Sequence, residues 1–334
     1  MLRGSSNTTS ASTEVATGHI GVLRLRSDIS EYRRNIETNG FAVVRGVIPP
    51  ERVEDYVNRS YDWLERFGPD FKRNDKSTWD VKNLPPHAKG GMYTLGGVAH
   101  EQFMWDIRCE PAVVDTFAQL WGTDELLVSY DGMNLALPLP QEQYDHGGKP
   151  WPHVDQSPLR DNFHCIQGIV ALTKSEVNDG GLLILKGSKE LYGEFFKQHE
   201  HEMPEGGWPT RDLYLHTEQQ LQWFYDRGCK WEKICCDAGD LLIWDSRCVH
   251  YGAVPSGDRA RVAAYVCYKP ASMVSADALR VKQQGFKSLR NTTHDPVIVE
   301  VPPPLPSWDG YPIAPENPPV LDTRGQKLAG LVPY

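Results

Sequence analysis

Apolar residues in the first third of the chain recur at helical spacing. A helix is predicted from Pro50 to a stop at Gly68, because five apolar side chains at intervals of three and four residues share one face. These residues are Val53, Tyr56, Val57, Tyr61 and Leu64. A helix closed by Gly40, an apolar strand over 41–47 and a further helix over 111–121 are also predicted.

The spacing becomes β-like in the remainder of the chain. Six short runs rich in β-branched or aromatic residues are separated by Gly, Pro, Asn and Asp: 126–138, 163–173, 180–188, 230–236, 240–246 and 261–270. Strands without regular intervening helices predict a sandwich or barrel and argue against a doubly wound sheet. One partly polar helical stretch, 190–228, interrupts them, and Thr217 followed by Gln220 predicts a capping box. The fold is therefore predicted to be mainly β with surrounding helices.

The two ends of the chain differ in composition from the middle. Residues 1–20 are rich in Ser and Thr and poor in large apolar groups, which predicts a flexible tail. The last 36 residues hold nine of the 25 prolines, which predicts an extended surface segment. Because no repeat or linker divides the rest, we expect a tail (1–20), one domain (21–298) and a Pro-rich extension (299–334) packed on that domain.

Composition argues against several classes of function. The net charge is −9, and no run of Lys and Arg alternates with aromatic residues, so nucleic acid is not an expected partner. No GxGxxG or Walker loop follows a predicted strand. The amino-terminal residues lack the apolar centre of a signal, and no stretch reaches the roughly 18 apolar residues of a membrane span. We therefore expect no membrane partner. Seven scattered cysteines are typical of reduced thiols, so we expect a cytoplasmic protein. A homodimer is a further open prediction.

Candidate metal ligands begin with the stretch "GKPWPHVDQSP". His153 and Asp155 are two residues apart, and in an extended segment such residues lie on the same side, where they can converge on one ion. Slightly less than one such pair is expected by chance in a chain of 334 residues with 11 histidines and 24 aspartates. The pair alone therefore fits a metal site and also fits a buried histidine beside a solvated acid.

A third donor and a candidate anion-binding residue lie further along the chain. His250 ends the apolar stretch "GDLLIWDSRCVH", and two histidines with one carboxylate form the set typical of non-haem Fe(II). Arg261 follows 11 residues later and opens the next predicted strand. A guanidinium there can hold the far end of a dicarboxylate through two parallel hydrogen bonds. Arg259 is an alternative, although it lies in the turn "PSGDR".

Three motifs together resemble the phytanoyl-CoA dioxygenase family of Fe(II)/2-oxoglutarate-dependent oxygenases. "NGFAVVRGVIPPERVEDY" is similar to the amino-terminal strand and helix of that family, and "NDGGLLILKGSKELY" is similar to its NGxLxxxPGSH stretch. "GDLLIWDSRCVHYG" is similar to its GDxxxFxxxxxHG segment. The resemblance covers about residues 38–270. Two departures are Lys189, where the family has the histidine of PGSH, and Gly252, where some members have a serine that assists the cosubstrate.

The resemblance implies a fold, a reaction and a set of site residues. The fold would be a double-stranded β-helix, a cupin-like jelly roll, with Fe(II) bound by His153, Asp155 and His250. Arg261 would bind the distal carboxylate of 2-oxoglutarate. With O₂, the enzyme would oxidise an aliphatic C–H of a small organic molecule, by hydroxylation or a related oxidation, and release succinate and CO₂. A cupin-like metal-dependent isomerase or hydrolase, or a non-catalytic binding protein, is the alternative.

Further residues are candidates for the cofactor or substrate site. Asn134 and Gln167 are polar residues within apolar strands, so each would contact 2-oxoglutarate or substrate, or be a satisfied core amide. Aromatic residues at the presumed mouth would suit an apolar substrate from secondary metabolism: Tyr93, Trp151, Trp223 and Tyr251. His146 would face the substrate or lie in a surface loop. His216 with Glu218 and the run "HEHE" at 199–202 are weaker metal candidates, because Thr217 is better used as a helix cap and the run lacks the HExxH spacing.

Overall fold

The computed structural model describes residues 31–144, 149–303, 310–312, 314–315 and 317–334. The predicted tail (1–20) and His146 lie outside the described residues. The helices are α1 (Glu31–Asn39), α2 (Pro50–Phe67), α3 (Gln102–Cys109), α4 (Pro111–Trp121), α5 (Ser188–Gln198), α6 (Glu218–Tyr225), α7 (Ala276–Lys287) and α8 (Thr323–Leu328). The strands are β1 (Phe41–Val44), β2 (Met92–Tyr93), β3 (Leu126–Val128), β4 (Met133–Ala136), β5 (His153–Val154), β6 (Ile166–Ala171), β7 (Gly181–Lys186), β8 (Tyr214–Leu215), β9 (Lys230–Lys233), β10 (Leu241–Asp245), β11 (His250–Ala253) and β12 (Arg261–Pro270).

Two antiparallel sheets form the framework of the molecule. The larger has the order β1-β10-β6-β12-β4-β2, with β3 paired to β12, and the smaller has the order β8-β5-β11-β7-β9. Alternate residues of β6, β10 and β12 pack in one apolar cluster with Leu182 and Ile184 of β7, so the sheets face each other. This arrangement of antiparallel sheets with flanking helices resembles the cupin-like fold that was predicted. The prediction of a mainly β fold holds only in part, because helices contain more of the described residues than strands do.

Strand periodicity separates the layers. On β10, Leu241 and Ile243 enter the large core shared with α2, α3 and α4, whereas Leu242 and Trp244 face the smaller sheet. Outside the smaller sheet, β5 and β7 pack against α5 and α6. On β12, Val262 and Ala264 enter the large core, so Arg261 and the residues at two-residue steps from it face between the sheets.

Two predicted strands are shorter in the structure, for local reasons. Strand β1 ends at Val44 because the Asp240 carboxylate accepts hydrogen bonds from Arg45 Nη1 (2.6 Å) and Gly46 N (2.8 Å) and turns the chain. The predicted run 126–138 divides into β3 and β4. At Gly132, between them, a Cβ would lie 1.9 Å from the Tyr93 carbonyl oxygen, so only glycine fits this close approach. The helix predicted from Pro50 and the Thr217 capping box are confirmed.

The described part of the carboxyl-terminal segment lies against the larger sheet. Helix α8 contacts β3 and α3, and the Tyr130 hydroxyl donates to the Ala329 carbonyl at 2.5 Å. The division into tail, domain and extension stays a prediction. Among the described helices, none is both long and apolar enough to cross a membrane.

Candidate metal centre

Two histidines oppose each other across neighbouring strands of the smaller sheet. His153 opens β5, His250 opens β11, and the two are directly paired. Directly opposed residues have Cβ atoms about 4.5–5.5 Å apart, and the imidazole centroids here are 4.3 Å apart. Asp155 follows His153 by two residues and projects to the same side. Strand register therefore brings three potential ligands to one point.

The three side chains form a donor set for one divalent ion. Their ligand atoms all lie within 4.8 Å of one another. Asp155 Oδ2 is 3.6 Å from His153 Nε2 and 3.4 Å from His250 Nε2. Adjacent donors on an ion with bonds of about 2.1 Å are roughly 3 Å apart, so the spacing fits such an ion. Two imidazoles and one carboxylate on one face are typical of non-haem Fe(II).

Backbone hydrogen bonds orient both imidazoles. His153 Nδ1 lies 3.0 Å from the Trp151 carbonyl oxygen, and His250 Nδ1 lies 2.9 Å from the Cys248 carbonyl oxygen. A carbonyl only accepts, so each Nδ1 donates its proton and each Nε2 keeps a lone pair for the metal. The Trp151 ring stacks on His153 at 4.2 Å and 8°, which fixes the plane of that imidazole.

The electrostatic environment favours the metal-binding forms of Asp155 and His250. Burial opposes ionisation of Asp155, but the adjacent His153 and His250 imidazoles hold its pKa well below the usual range. Burial, together with the neighbouring His153, lowers the pKa of His250. Because a metal binds carboxylate and neutral imidazole, both shifts prepare the site at neutral pH.

Gln167 supports the carboxylate ligand from the larger sheet. Its Nε2 donates to Asp155 Oδ2 at 2.9 Å. Outer hydrogen bonds of this kind hold a ligand in its binding orientation. The structure therefore places the predicted Gln167 beside the triad, where its amide orients Asp155, and its predicted contact with 2-oxoglutarate or substrate stays a prediction.

The triad opens into a cavity of about 550 Å³ between the two sheets, here called the metal cavity. Arg261 and Asn134 also line it. Arg261 is only 7% exposed, and no described carboxylate forms an ion pair with it. Arg259 lies elsewhere, on the surface, where it pairs with Glu176 and Asp179. The cavity thus brings together the triad, Asn134, Gln167 and the predicted anion-binding arginine, and leaves out the alternative one.

Sequence comparison assigns the chain to a family. The sequence model of the phytanoyl-CoA dioxygenase (PhyH) family matches residues 36–263, more than half of the chain. The chain belongs to this family. The relative "Ava biosynthesis cluster protein O" from Aspergillus versicolor is 37% identical over 268 residues, which cover 80% of this chain and 86% of that protein.

Two solved structures match most of the chain at much lower sequence identity. The α-ketoglutarate-dependent epimerase SnoN from nogalamycin biosynthesis has 16% identity and a TM-score of 0.46, over 72% of this chain and 81% of that one. EctD from S. alaskensis has 13% identity and a TM-score of 0.49, over 75% and 82%. Membership of the PhyH family makes the chain an Fe(II)/2-oxoglutarate-dependent oxygenase and confirms the predicted cofactors.

Part of the cavity wall comes from outside the PhyH match. The segment after α7 contributes six lining residues: Asn291, Thr292, Thr293, His294, Pro302 and Pro303. These residues follow the last matched position, 263. No motif in the sequence indicated that this segment returns to the metal.

Two further cavity residues close to the predicted site residues were not predicted: Trp244, inside the PhyH match, and Tyr265, two residues beyond its end. Trp244 packs 5.2 Å from the His250 ring, and its indole Nε1 is buried without a hydrogen-bond partner in the described structure. Tyr265 lies beside Arg261 and Asn134; burial raises the pKa of its hydroxyl, whereas the Arg261 charge lowers it. Strand periodicity could have indicated Tyr265, because it is four residues after Arg261 on the same strand face.

Three of the four predicted mouth aromatics do not line the cavity. Tyr93 is fully buried against Trp63 in the large core. Trp223 packs on Phe195 outside the smaller sheet, and Tyr251 packs on Trp231. Trp151 alone of the four lines the metal cavity. The prediction was wrong for the other three because aromatic type does not reveal which face of a strand or helix is presented.

The weaker metal candidates form no ligand group in the described residues. His216 is buried among aromatic rings, and burial lowers its pKa to about 3. Glu218 is exposed at the start of α6. In the "HEHE" run, His199 Nδ1 is hydrogen-bonded to the Phe195 carbonyl oxygen at 2.8 Å.

A second cluster of potential metal ligands contains a carboxylate whose charge is neutralised by a lysine. His164, Asp212 and Asp295 lie together, but the fully buried Lys269 Nζ is 2.8 Å from Asp295 Oδ2 and 3.1 Å from His164 Nε2. Burial opposes ionisation of Asp295, yet Lys269 and His164 hold its pKa well below the usual range. Arg160 pairs with Asp212. The group is therefore an internal ion-pair network.

Lys269→Met is expected to lower the free energy of unfolding by about 3–5 kcal/mol, because it leaves the Asp295 carboxylate buried without its counter-charge. Urea unfolding followed by circular dichroism measures the change. The same substitution at Lys186, whose ion pair with Glu232 is half exposed, should cost less than about 1 kcal/mol. Equal losses in the two variants would contradict the proposed importance of the buried pair.

Proposed function

We propose that this oxygenase oxidises an aliphatic C–H of a small, largely apolar organic molecule in secondary metabolism, on a double-stranded β-helix core. Hydroxylation is the default: one atom of O₂ enters the substrate, the other enters succinate, and 2-oxoglutarate loses CO₂. The observation that carries the proposal is that the triad and Arg261, free of any described carboxylate partner, line one cavity. The name of the Aspergillus versicolor relative supports a biosynthetic role.

The protein holds the metal and leaves room beside it. His153, Asp155 and His250 would bind Fe(II) through two nitrogens and one oxygen. Bound Fe(II) supplies the O₂-dependent oxidation of the C–H bond when 2-oxoglutarate is present. Gln167 and the two backbone carbonyls keep the ligands aligned, and the facing sheets limit access of water to the cavity.

Arg261 and its neighbours suit the dicarboxylate. The guanidinium lies in the low-dielectric space between the sheets, beside the Tyr265 hydroxyl. An unpaired buried charge is costly, and a carboxylate would compensate it through charge-assisted hydrogen bonds. Ile169 and Leu182 provide an apolar surface for the methylene groups. Trp244 Nε1 is a buried donor without a described partner in the same cavity, so we assign Trp244 to the cosubstrate side. Asn134 lines the cavity as well, and we assign it to the same side because its amide nitrogen can donate to a carboxylate.

Trp244→Phe is expected to weaken 2-oxoglutarate binding about threefold to tenfold, because phenylalanine keeps the ring and removes one hydrogen-bond donor. Calorimetric titration of the Mn(II)-loaded protein measures the dissociation constant. Trp151→Phe is the matched control: Trp151 lines the same cavity, but its Nε1 already donates to the Gly252 carbonyl at 3.3 Å. A similar loss of 2-oxoglutarate affinity in both variants would contradict the assignment of Trp244 to the cosubstrate site.

Anaerobic titration of the Fe(II)-loaded protein with 2-oxoglutarate tests the proposed function. A weak visible charge-transfer absorption that saturates with one 2-oxoglutarate per iron is the expected result. Bound iron without this absorption would contradict the proposal and favour metal chemistry that does not use the dicarboxylate. The cytoplasmic location, the homodimer and the domain limits 21–298 and 299–334 remain predictions that this titration does not address.

A further inference from the structure

The His294 imidazole lies near the triad and has no role in binding the metal or 2-oxoglutarate. His294 lines the metal cavity and also a polar recess of about 180 Å³ beside it. Asp155 lines both spaces as well, so His294 stands where they meet, next to the metal ligands. Its Nε2 is buried and has no hydrogen-bond partner in the described structure. Because buried polar atoms normally form hydrogen bonds, this nitrogen is expected to bind a ligand or an ordered water.

The backbone on both sides of His294 is fixed. The Thr292 N–H donates to the Tyr130 carbonyl at 3.0 Å, and its hydroxyl accepts from the Tyr130 N–H at 3.0 Å. On the other side, Asp295 accepts from Lys269 and from the Val297 N–H at 2.8 Å. These anchors hold the loop against the larger sheet, so the His294 ring is presented to the cavity from a rigid support.

The residues around His294 indicate which chemical groups it can bind. Arg211 lines the same two spaces, and no hydrogen bond or ion pair of its guanidinium is found in the described residues. A guanidinium only donates, and an imidazole can donate, so an oxygen acceptor suits this end of the cavity. Asp131, the other carboxyl of the cavity, accepts from the Gly132 N–H at 2.7 Å. The remaining wall is largely apolar, with Met92, Leu95 and Leu213.

We infer that His294 is a specificity-determining residue that binds a hydroxyl or carboxylate oxygen of the substrate, with Arg211 adding affinity for the anionic form. The substrate class is an apolar molecule with one oxygen group, held so that a C–H near that group faces the triad. The inference rests on the proposed oxygenase function. His294 lies beyond the PhyH-matched residues, whereas Arg211 and the three metal ligands lie within them.

Three fragment probes test the inference: naphthalene, 2-naphthol and 2-naphthoate. Dissociation constants are measured by ligand-observed NMR with protein saturated in Mn(II) and 2-oxoglutarate, so that the cosubstrate position is filled and no turnover occurs. Wild-type protein is expected to bind both oxygen-bearing probes about threefold to tenfold more tightly than naphthalene, the gain from one hydrogen bond. His294→Phe should bring the 2-naphthol preference to about one. Arg211→Ala should reduce the preference for 2-naphthoate alone.

Leu213→Ala is the matched control, since Leu213 lines both spaces and offers no polar group. It should weaken all three probes equally and leave their ratios intact. A wild-type preference near one, or an unchanged preference in His294→Phe, would overturn the inference. Binding of 2-oxoglutarate is measured first, in the wild-type protein and in each variant. If the wild-type protein does not bind 2-oxoglutarate, the proposed function is refuted. If it binds normally but His294→Phe leaves the probe ratios unchanged, only the role of His294 is refuted.

Discussion

His153→Ala and Asp155→Ala are each expected to abolish stable iron binding at neutral pH. Each change removes one of three donors, and the remaining pair leaves most of the coordination of the ion to water. The neighbouring donors stay within 4.8 Å of one another and keep their hydrogen bonds, so the loss reports on metal ligation. Iron content after anaerobic loading and desalting measures occupancy, and circular dichroism checks that the fold is retained.

His164→Ala is the control for these variants. His164 belongs to the second cluster of potential ligands, where Lys269 already neutralises the carboxylate. This variant should keep the wild-type iron content. Full iron occupancy in both His153→Ala and Asp155→Ala would refute the assignment of the triad.

Arg261→Ala is expected to raise the concentration of 2-oxoglutarate needed for half-saturation by at least about a hundredfold. Hydrogen bonds to charged groups contribute roughly 1.5–3 kcal/mol each, and a guanidinium offers two in parallel to a carboxylate. Iron binding should be unaffected, because Arg261 makes no contact with the three ligands that the structure records. Titration of the Fe(II) protein by visible absorption measures the half-saturation point.

Arg259→Ala separates a specific role of Arg261 from a general effect of positive charge. The two arginines are two residues apart, but Arg259 is on the surface with Glu176 and Asp179. Its removal should leave the 2-oxoglutarate requirement within about twofold of wild type, because surface ion pairs contribute little and are screened by solvent. An unchanged requirement in Arg261→Ala would move the anion-binding role elsewhere in the cavity.

The sequence predicted those parts of the site that depend on strand periodicity. His153 and Asp155 share a side because they are two residues apart, and Arg261 faces between the sheets because its neighbour Val262 faces the core. The pairing of His153 with His250 could not be predicted, since it depends on which strands of the smaller sheet are neighbours. That choice is made by long-range packing.

The substrate side was much less predictable. His294 lies in a loop with no periodicity, and its position depends on hydrogen bonds to Tyr130 and to Lys269 across the larger sheet. Tyr93 was expected at the mouth and is in the core instead, because an aromatic residue satisfies either environment. Residue type therefore indicated the chemistry of the metal, while tertiary packing decided which side chains surround it.

The pairing of His153 with His250 has a consequence for how the smaller sheet holds together. Strand β5 has two residues, and it meets β11 at that single register position, so the boundary between β8-β5 and β11-β7-β9 runs through the metal ligands. An ion bound by both histidines would act as a crosslink across this boundary, and its binding energy would add to the local stability of the sheet. Iron would then stabilise the contact between these strands, in addition to supplying the chemistry of the site.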